Sequence, residues 1–359
     1  MSQFVAALKP RVSVSADTDD QHLRTQKALF LESKFGEFKV RERNVPAVIA
    51  GHLLVRIESV ALNPIDWKIQ KFGIYVEEYP AILGVDTSGV VVEVGEGVSG
   101  FTAGDRVFFQ TSWDHDKAGY QQYTLTDATL TAKIPSKFSF DETAAIPVAL
   151  AAATAGLYLE APNGAGLVTP FEESTRGKES GKPIVIYGAI QLAKLSGFSQ
   201  IITTASLKNT EYLKSLGATH VLDRNLPAQE LASEVSKITS APINLIYDTV
   251  ALPDTQKSAY SLLADGGALV LTLPPDAEIK PVEGKRIFQA IGIFVIPHAR
   301  SLGEKLYSKL TALLEEGVLK PNHVEVLPNG LNGVVAGLER LQADQVSGAK
   351  LVAHPQETA

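Results

Sequence analysis

Between Lys182 and Gly197 the chain reads Lys-Pro-Ile-Val-Ile-Tyr-Gly-Ala-Ile-Gln-Leu-Ala-Lys-Leu-Ser-Gly. The apolar, β-branched run Pro183–Tyr187 fits a strand buried on both faces, as in a parallel sheet, and helical spacing resumes after a single glycine, Gly188. In a doubly wound sheet the first strand-to-helix turn carries several glycines, so that backbone N–H groups and the helix N-terminus can approach a dinucleotide pyrophosphate. Here Gly188 stands alone. The junction therefore narrows the fold class and at the same time weakens the expected grip on that ligand.

The texture on either side supports two domains. Residues 25 to about 135 are strand-rich, with runs at Lys27–Leu31, Leu53–Leu62, Thr87–Val94, Arg106–Gln110, Tyr120–Thr126 and Leu130–Ile134 between Gly, Pro and Asp turns, which reads as a β-barrel-like domain. From about Asp141 an Ala-rich helix (Thr143–Leu159) opens an alternation of strand and helix: strands Pro183–Tyr187, Gln200–Ala205, His220–Leu222, Ile243–Tyr247 and Ala268–Thr272, with helices near 189–196, 209–216, 227–238 and 255–263. Alternation at this spacing predicts a parallel sheet with right-handed crossovers. Two amphipathic helices, Leu302–Glu316 and Leu331–Gln342, and a last strand, Lys350–Ala353, close the chain, and Leu306, Leu310, Leu313 and Leu314 form a core-facing stripe. The polar, Gly-rich stretch 161–182 reads as a surface excursion joining the domains. Residues 1–24 read as a disordered leader.

Composition excludes several functions. With 359 residues, 45% of them hydrophobic and 20% charged, a sizeable core is affordable, while a net charge of −7 gives no attraction to nucleic acid or anionic lipid. No run of about 18 apolar residues suggests a membrane span, and the missing signal peptide points to a cytoplasmic protein. There is no cysteine, which rules out disulfides, thiolate metal sites and a Cys nucleophile. The seven histidines, His22, His52, His115, His220, His298, His323 and His354, are scattered, with no i, i+4 pair. No metal site is expected. His115, in the turn Trp113-Asp-His-Asp, is the one expected near a substrate mouth.

Several segments match a family in order: Ala-Leu-Asn-Pro-Ile-Asp-Trp-Lys (61–68), Leu-Gly-Val-Asp-Thr-Ser-Gly-Val-Val-Val-Glu-Val-Gly (83–95), Gly-Asp-Arg-Val (104–107), Ala-Gly-Tyr-Gln-Gln-Tyr (118–123), Gly-Ala-Thr-His-Val-Leu-Asp (217–223) and Val-Ser-Gly-Ala-Lys-Leu-Val (346–352). The chain resembles the medium-chain dehydrogenase/reductases, specifically their zinc-free quinone and enoyl reductase branch. It is most similar to the fungal trans-acting enoyl reductases that partner polyketide synthases. The resemblance implies an α/β protein: a GroES-like β-barrel catalytic domain (25–150), a Rossmann doubly wound parallel-sheet cofactor domain (151–300) and a C-terminal segment (301–359) returning to the first. Val85 stands where zinc-dependent relatives place a histidine ligand.

The resemblance also implies site residues. Ile65, Asp66, Trp67 and Lys68 would lie beside the nicotinamide, with Lys68 and Asp66 as the catalytic pair and Lys68 as the cation near the ribose or the substrate carbonyl. The bland alternative is that Asn63 and Asp66 cap a short turn and Lys68 is a solvated charge. Thr154 would face the nicotinamide. Thr272, Leu273, Pro274, Ser347 and Gly348 would border it, and Tyr187 and Gly188 form the first cofactor turn. After strand Gln200–Ala205 no acid appears among Ser206, Leu207, Lys208 and Asn209, where NAD enzymes place one for the ribose 2′-OH. A hydroxyl and a cation suit a 2′-phosphate, so NADPH is favoured over NADH, with Arg224 as a second phosphate cation.

Relatives carry about eight more residues after Gly188. Losing two or three charge-assisted backbone contacts at about 1.5–3 kcal/mol each would weaken binding by roughly 3–9 kcal/mol, or about two to six decades. Two readings follow: an NADPH-dependent reductase of enoyl, enone or quinone substrates, small or carrier-bound, and a catalytically silent member that binds a ligand or partner protein. A polyketide synthase is the implied partner of the first. The protein is expected as a monomer, or as a homodimer extended edge-to-edge through Ala268–Thr272 and Ile287–Ile296.

Overall fold

The computed structural model describes residues 24–280 and 282–359, so the leader expected over 1–24 lies, save its last residue, outside the described residues. The chain forms two compact units, one of residues up to Pro147 together with Pro321–Ala359, the other Val148–Lys320.

The first unit is built on a seven-stranded sheet. Its order is His323–Val326, Ala349–Ala353, His52–Ala61, Asp86–Val94, Arg106–Gln110 and Thr131–Lys133, with Tyr123–Asp127 also pairing with His52–Ala61. A three-stranded sheet, Phe38–Asn44, Thr25–Leu31 and Ala81–Ile82, completes the strands. The pairing of His52–Ala61 with Asp86–Val94 shifts register twice, between Leu54 and Val55 and between Ile57 and Ser59, and such irregularities bend a strand. Gly89 sits in this bend, where a Cβ would come within 2.1 Å of the Arg56 carbonyl oxygen, so only glycine fits.

The core under these strands combines Leu29, Leu31, Ile57, Val60, Leu62, Ile69 and Ile82 with Leu331, Val334, Leu338 and Leu351 from the chain's return. The return is therefore structural, and it begins at Pro321, not at 301. The helix Pro297–Glu315 stays with the second unit because its Leu306, Leu310, Leu313 and Leu314 stripe is buried there and Phe294 packs on Gly303. Strand Phe38–Asn44 was not signalled in the sequence. It reads Phe-Lys-Val-Arg-Glu-Arg-Asn and is largely solvent-facing, so it lacks the apolar alternation that marks a half-buried strand.

The second unit holds a six-stranded, wholly parallel sheet in the order His220–Asp223, Gln200–Ala205, Pro183–Ile186, Leu245–Asp248, Ala268–Leu271, Arg286–Gln289. Counted along the chain this is the order 3-2-1-4-5-6 of a dinucleotide-binding fold, whose ligands lie at the carboxyl ends of the strands where the order reverses. Of the two segments expected at a sheet edge, Ala268–Leu271 is an interior strand, while the start of Ile287–Ile296 lies in the edge strand Arg286–Gln289. The excursion 161–182 does not join the two units but belongs to the second. Lys305 donates to Thr169 Oγ1 (2.7 Å), Lys309 pairs with Glu172 (2.9 Å), and Arg176 pairs with Glu316 (2.8 Å), while Phe171 is buried edge-on to Tyr158.

Candidate active site

In the first unit the candidate residues cluster on the helix Pro64–Phe72. Pro64 pre-sets the first helical turn, and Gly73 ends the helix in a left-handed conformation (φ 59°), its N–H bonded to the Ile69 carbonyl. Asp66 lies wholly buried, and its Oδ2 accepts from the Asn63 backbone N–H (2.9 Å) and from the Tyr120 hydroxyl (2.7 Å). Burial pushes its pKa up to about 6 and Asp86 adds to the rise, against the hydrogen bonds from Tyr120, Asn63 and Gly84. Burial and the same carboxylate also raise the Tyr120 phenol well above its ordinary value.

The Asn63 side chain faces a second buried carboxylate. Its Nδ2 donates to Asp86 Oδ2 (2.8 Å) and its Oδ1 accepts from Lys350 Nζ, which itself pairs with Asp86 Oδ2 at 2.9 Å. Lys350 comes from the returning strand Ala349–Ala353, two residues beyond the exposed Ser347-Gly348 pair.

Lys68 differs from these. It is half-buried, burial holds its pKa below the usual lysine value, and its ammonium lies 5.8 Å from the Trp67 ring. Among the described residues no carboxylate pairs with it. Trp67 has a buried indole Nε1 without a hydrogen-bond partner and packs edge-on to the exposed Phe72, and Ile65 packs against the core of this unit. Tyr75 stacks on Trp113 (5.8 Å). His115 is exposed in a short turn, edge-on to Phe30, and its carbonyl accepts from Gln121. The described residues contain no group of three or more His, Asp or Glu able to hold a metal.

In the second unit the candidates sit at the carboxyl ends of adjacent strands. Tyr187 N–H bonds to the Tyr247 carbonyl (2.9 Å), and the Tyr187 carbonyl accepts from the Thr249 hydroxyl. Thr249 in turn gives its own carbonyl to the Thr272 hydroxyl (3.0 Å). Gly188 fits against Thr249 because a Cβ there would lie 2.6 Å from its Oγ1. Ala189 follows in a left-handed conformation (φ 56°), and the helix Ile190–Ser196 has seven residues. Thr249 was not singled out in the sequence, and its only signal was its place directly after the strand Ile243–Tyr247 and Asp248. Asp248 itself is a turn-former, wholly buried and accepting from Val250 N (2.9 Å), Ala251 N (2.7 Å) and Thr255 Oγ1 (2.7 Å). Pro274 offers its carbonyl to Gln256, and Leu273 packs against the core.

Ser206, Lys208 and Arg224 are brought together by strand pairing. Ala205 pairs with Asp223, and the Arg224 N–H bonds to the Ala205 carbonyl (3.0 Å), so the two strands end side by side. Lys208 and Arg224 are both exposed there, and Asn209 closes the short turn with its N–H on the Ser206 carbonyl (2.9 Å). Two further hydroxyls, Thr154 Oγ1 and Tyr187 Oη, are buried without a partner. Leaving such a group unbonded costs about 1–3 kcal/mol, so each is a donor suited to a ligand acceptor. Two exposed cations at one strand end and two buried unbonded hydroxyls are chemically compatible with a nicotinamide dinucleotide. The pyrophosphate turn is reduced to Gly188 and Ala189.

Residues 49–136 match the alcohol dehydrogenase GroES-like domain and residues 187–288 the zinc-binding dehydrogenase domain. The chain is 30% identical to the trans-enoyl reductase ACTTS2 of Alternaria alternata over 91% of its own length and 98% of that protein's. It is 31% identical to the trans-enoyl reductase resD of Aspergillus sclerotiorum over 87% of its length and 95% of that protein's. Among solved structures, a crotonyl-CoA carboxylase/reductase in complex with NADP shares the fold at a TM-score of 0.70 and 16% identity, covering 94% of this chain and 98% of that one.

Proposed function

The chain belongs to the medium-chain dehydrogenase/reductase family, and on that premise we propose that it is an NADPH-dependent, zinc-free reductase of activated alkenes. Enoyl thioesters, carried by a polyketide synthase, are the favoured substrates, with enones and quinones as simpler ones. The observation that carries this reading is Lys68: a half-buried cation with no carboxylate partner among the described residues, on a helix whose first turn is locked by buried polar groups.

Bound NADPH supplies the hydride. Lys68 Nζ donates a hydrogen bond to the substrate carbonyl oxygen as negative charge gathers there, and its lowered pKa brings the proton closer to one that can be transferred. The Trp67 ring, 5.8 Å from its ammonium, limits water on one side of that charge. Asp66, whose Oδ2 is taken up by the Asn63 backbone N–H and the Tyr120 hydroxyl, acts by holding the helix. Ser206, Lys208 and Arg224 hold the 2′-phosphate, and Thr154 and Tyr187 offer hydroxyl donors to the rest of the cofactor. The absence of cysteine and of a metal-ligand grouping among the described residues supports chemistry without zinc.

Titration with NADPH, followed by nicotinamide fluorescence and with NADH as control, tests the reading. Saturation at micromolar NADPH is expected. Lys68→Met should lower kcat/KM by about a hundredfold to a thousandfold, corresponding to about 2.7–4 kcal/mol, with NADPH binding retained. The turn at Gly188 and Ala189 favours the second reading, a silent ligand- or partner-binding member. No binding up to millimolar NADPH by folded protein would select it.

A further inference from the structure

We infer that Lys350 is a positioning residue for Lys68, acting through Asn63 and Asp86 to set the first turn of the helix Pro64–Phe72. The inference rests on the role given to Lys68 above. Four elements meet at that turn. The returning strand brings Lys350, the strand Asp86–Val94 brings Asp86, the segment before Tyr123–Asp127 brings Tyr120, and the helix brings Asn63 and Asp66.

The chemistry is that of a closed triangle. Lys350 Nζ, Asn63 and Asp86 are each bonded to the other two: Nζ to Asp86 Oδ2 at 2.9 Å, Asn63 Nδ2 to Asp86 Oδ2 at 2.8 Å, and Nζ to Asn63 Oδ1. The Asn63 backbone then hands the constraint to Asp66 Oδ2, which Tyr120 holds from the other side. Asn63, Asp66, Asp86 and Tyr120 are all buried, and a buried carboxylate that loses its cation cannot turn to water for relief. Removing the ammonium therefore obliges Asn63 and Asp86 to rearrange. Asn63 is the residue from which the helix starts, five positions before Lys68. A displacement of about 1 Å there is enough to cost on the order of a hundredfold in rate.

The chain has two tryptophans, Trp67 beside Lys68 and Trp113 outside the triangle, so 5-fluorotryptophan gives a two-line fluorine spectrum, assigned with Trp113→Phe. Lys350→Met is expected to move the Trp67 line, leave the Trp113 line in place, and lower kcat by about tenfold to a hundredfold with the NADPH dissociation constant unchanged. Lys350→Arg should restore most of both signals. If Lys350→Met does not fold, Tyr120→Phe removes one hydroxyl at nearly constant volume and should move the same line in the same way. An unmoved Trp67 line, or a moved line with kcat unaltered, would overturn the inference and leave the triangle a stability device. Full activity in Lys68→Met would instead remove the role given to Lys68, whatever the fluorine spectrum shows.

Discussion

At the residue scale, burial separates two neighbours that the sequence could only pair. Asp66 and Lys68 are two positions apart, yet one is sealed beneath Tyr120 and the other is half open. The cap formed by Asn63 and Asp66 starts the helix that carries Lys68, so a structural cap does not by itself oblige Lys68 to be a mere solvated charge, and under the role proposed for Lys68 the cap would position it. Asp66 also carries a pH signature. Burial pushes its folded pKa up to about 6, above the ordinary aspartate value of 3.8, so between those values the folded protein holds a proton there that the unfolded chain releases. Its contribution to stability is thus fully present below about pH 4 and is lost as pH rises to about 6, with a size of about 3 kcal/mol. Asp66→Asn keeps an acceptor oxygen for Asn63 and Tyr120, and it should flatten the urea-unfolding free energy over that pH window without lowering stability at pH 7.5.

At the scale of elements, the parallel strands and their helices were legible because their signals are local. Pro183–Tyr187, Gln200–Ala205 and Ala268–Thr272 are continuous apolar or β-branched runs, and the observed strands match them within a residue. The charged edge strand Phe38–Asn44 was not legible, since a solvent-facing strand carries no apolar period. The helix Pro64–Phe72 appeared in the sequence only as a turn, because its cap residues stand out while its short apolar face does not. The turn after Pro183–Ile186 is tightly specified even in its shortened form. Gly188→Ala would press a methyl group on Thr249 Oγ1, and we expect it to lower stability by roughly 1–3 kcal/mol. Combining it with Thr249→Ala should cost less than the sum of the two in a double-mutant cycle, because the second change removes the obstruction.

At the scale of the whole molecule, the last 39 residues, Pro321–Ala359, complete the first unit after the chain has built the second. Leu338 on the returning helix Gly333–Gln342 is buried in that core, so Leu338→Ala should cost about 2–5 kcal/mol, read from the urea midpoint. A loss below about 1 kcal/mol would mean the returning helix is peripheral.

Sequence alone determined the alternation of strands and helices, the lone glycine at the first turn, the missing thiol ligands and the basic, acid-free end of Gln200–Ala205, since each is set by neighbouring residues. Tertiary structure decided which carboxylate is sealed and which ammonium stays open. Those differences come from contacts between residues far apart in the chain, Tyr120 on Asp66 and Lys350 on Asn63 across 287 positions, which strand pairing brings about and no local pattern encodes. Burial is a property of what packs on a residue, and here what packs on the helix of Lys68 is the end of the chain.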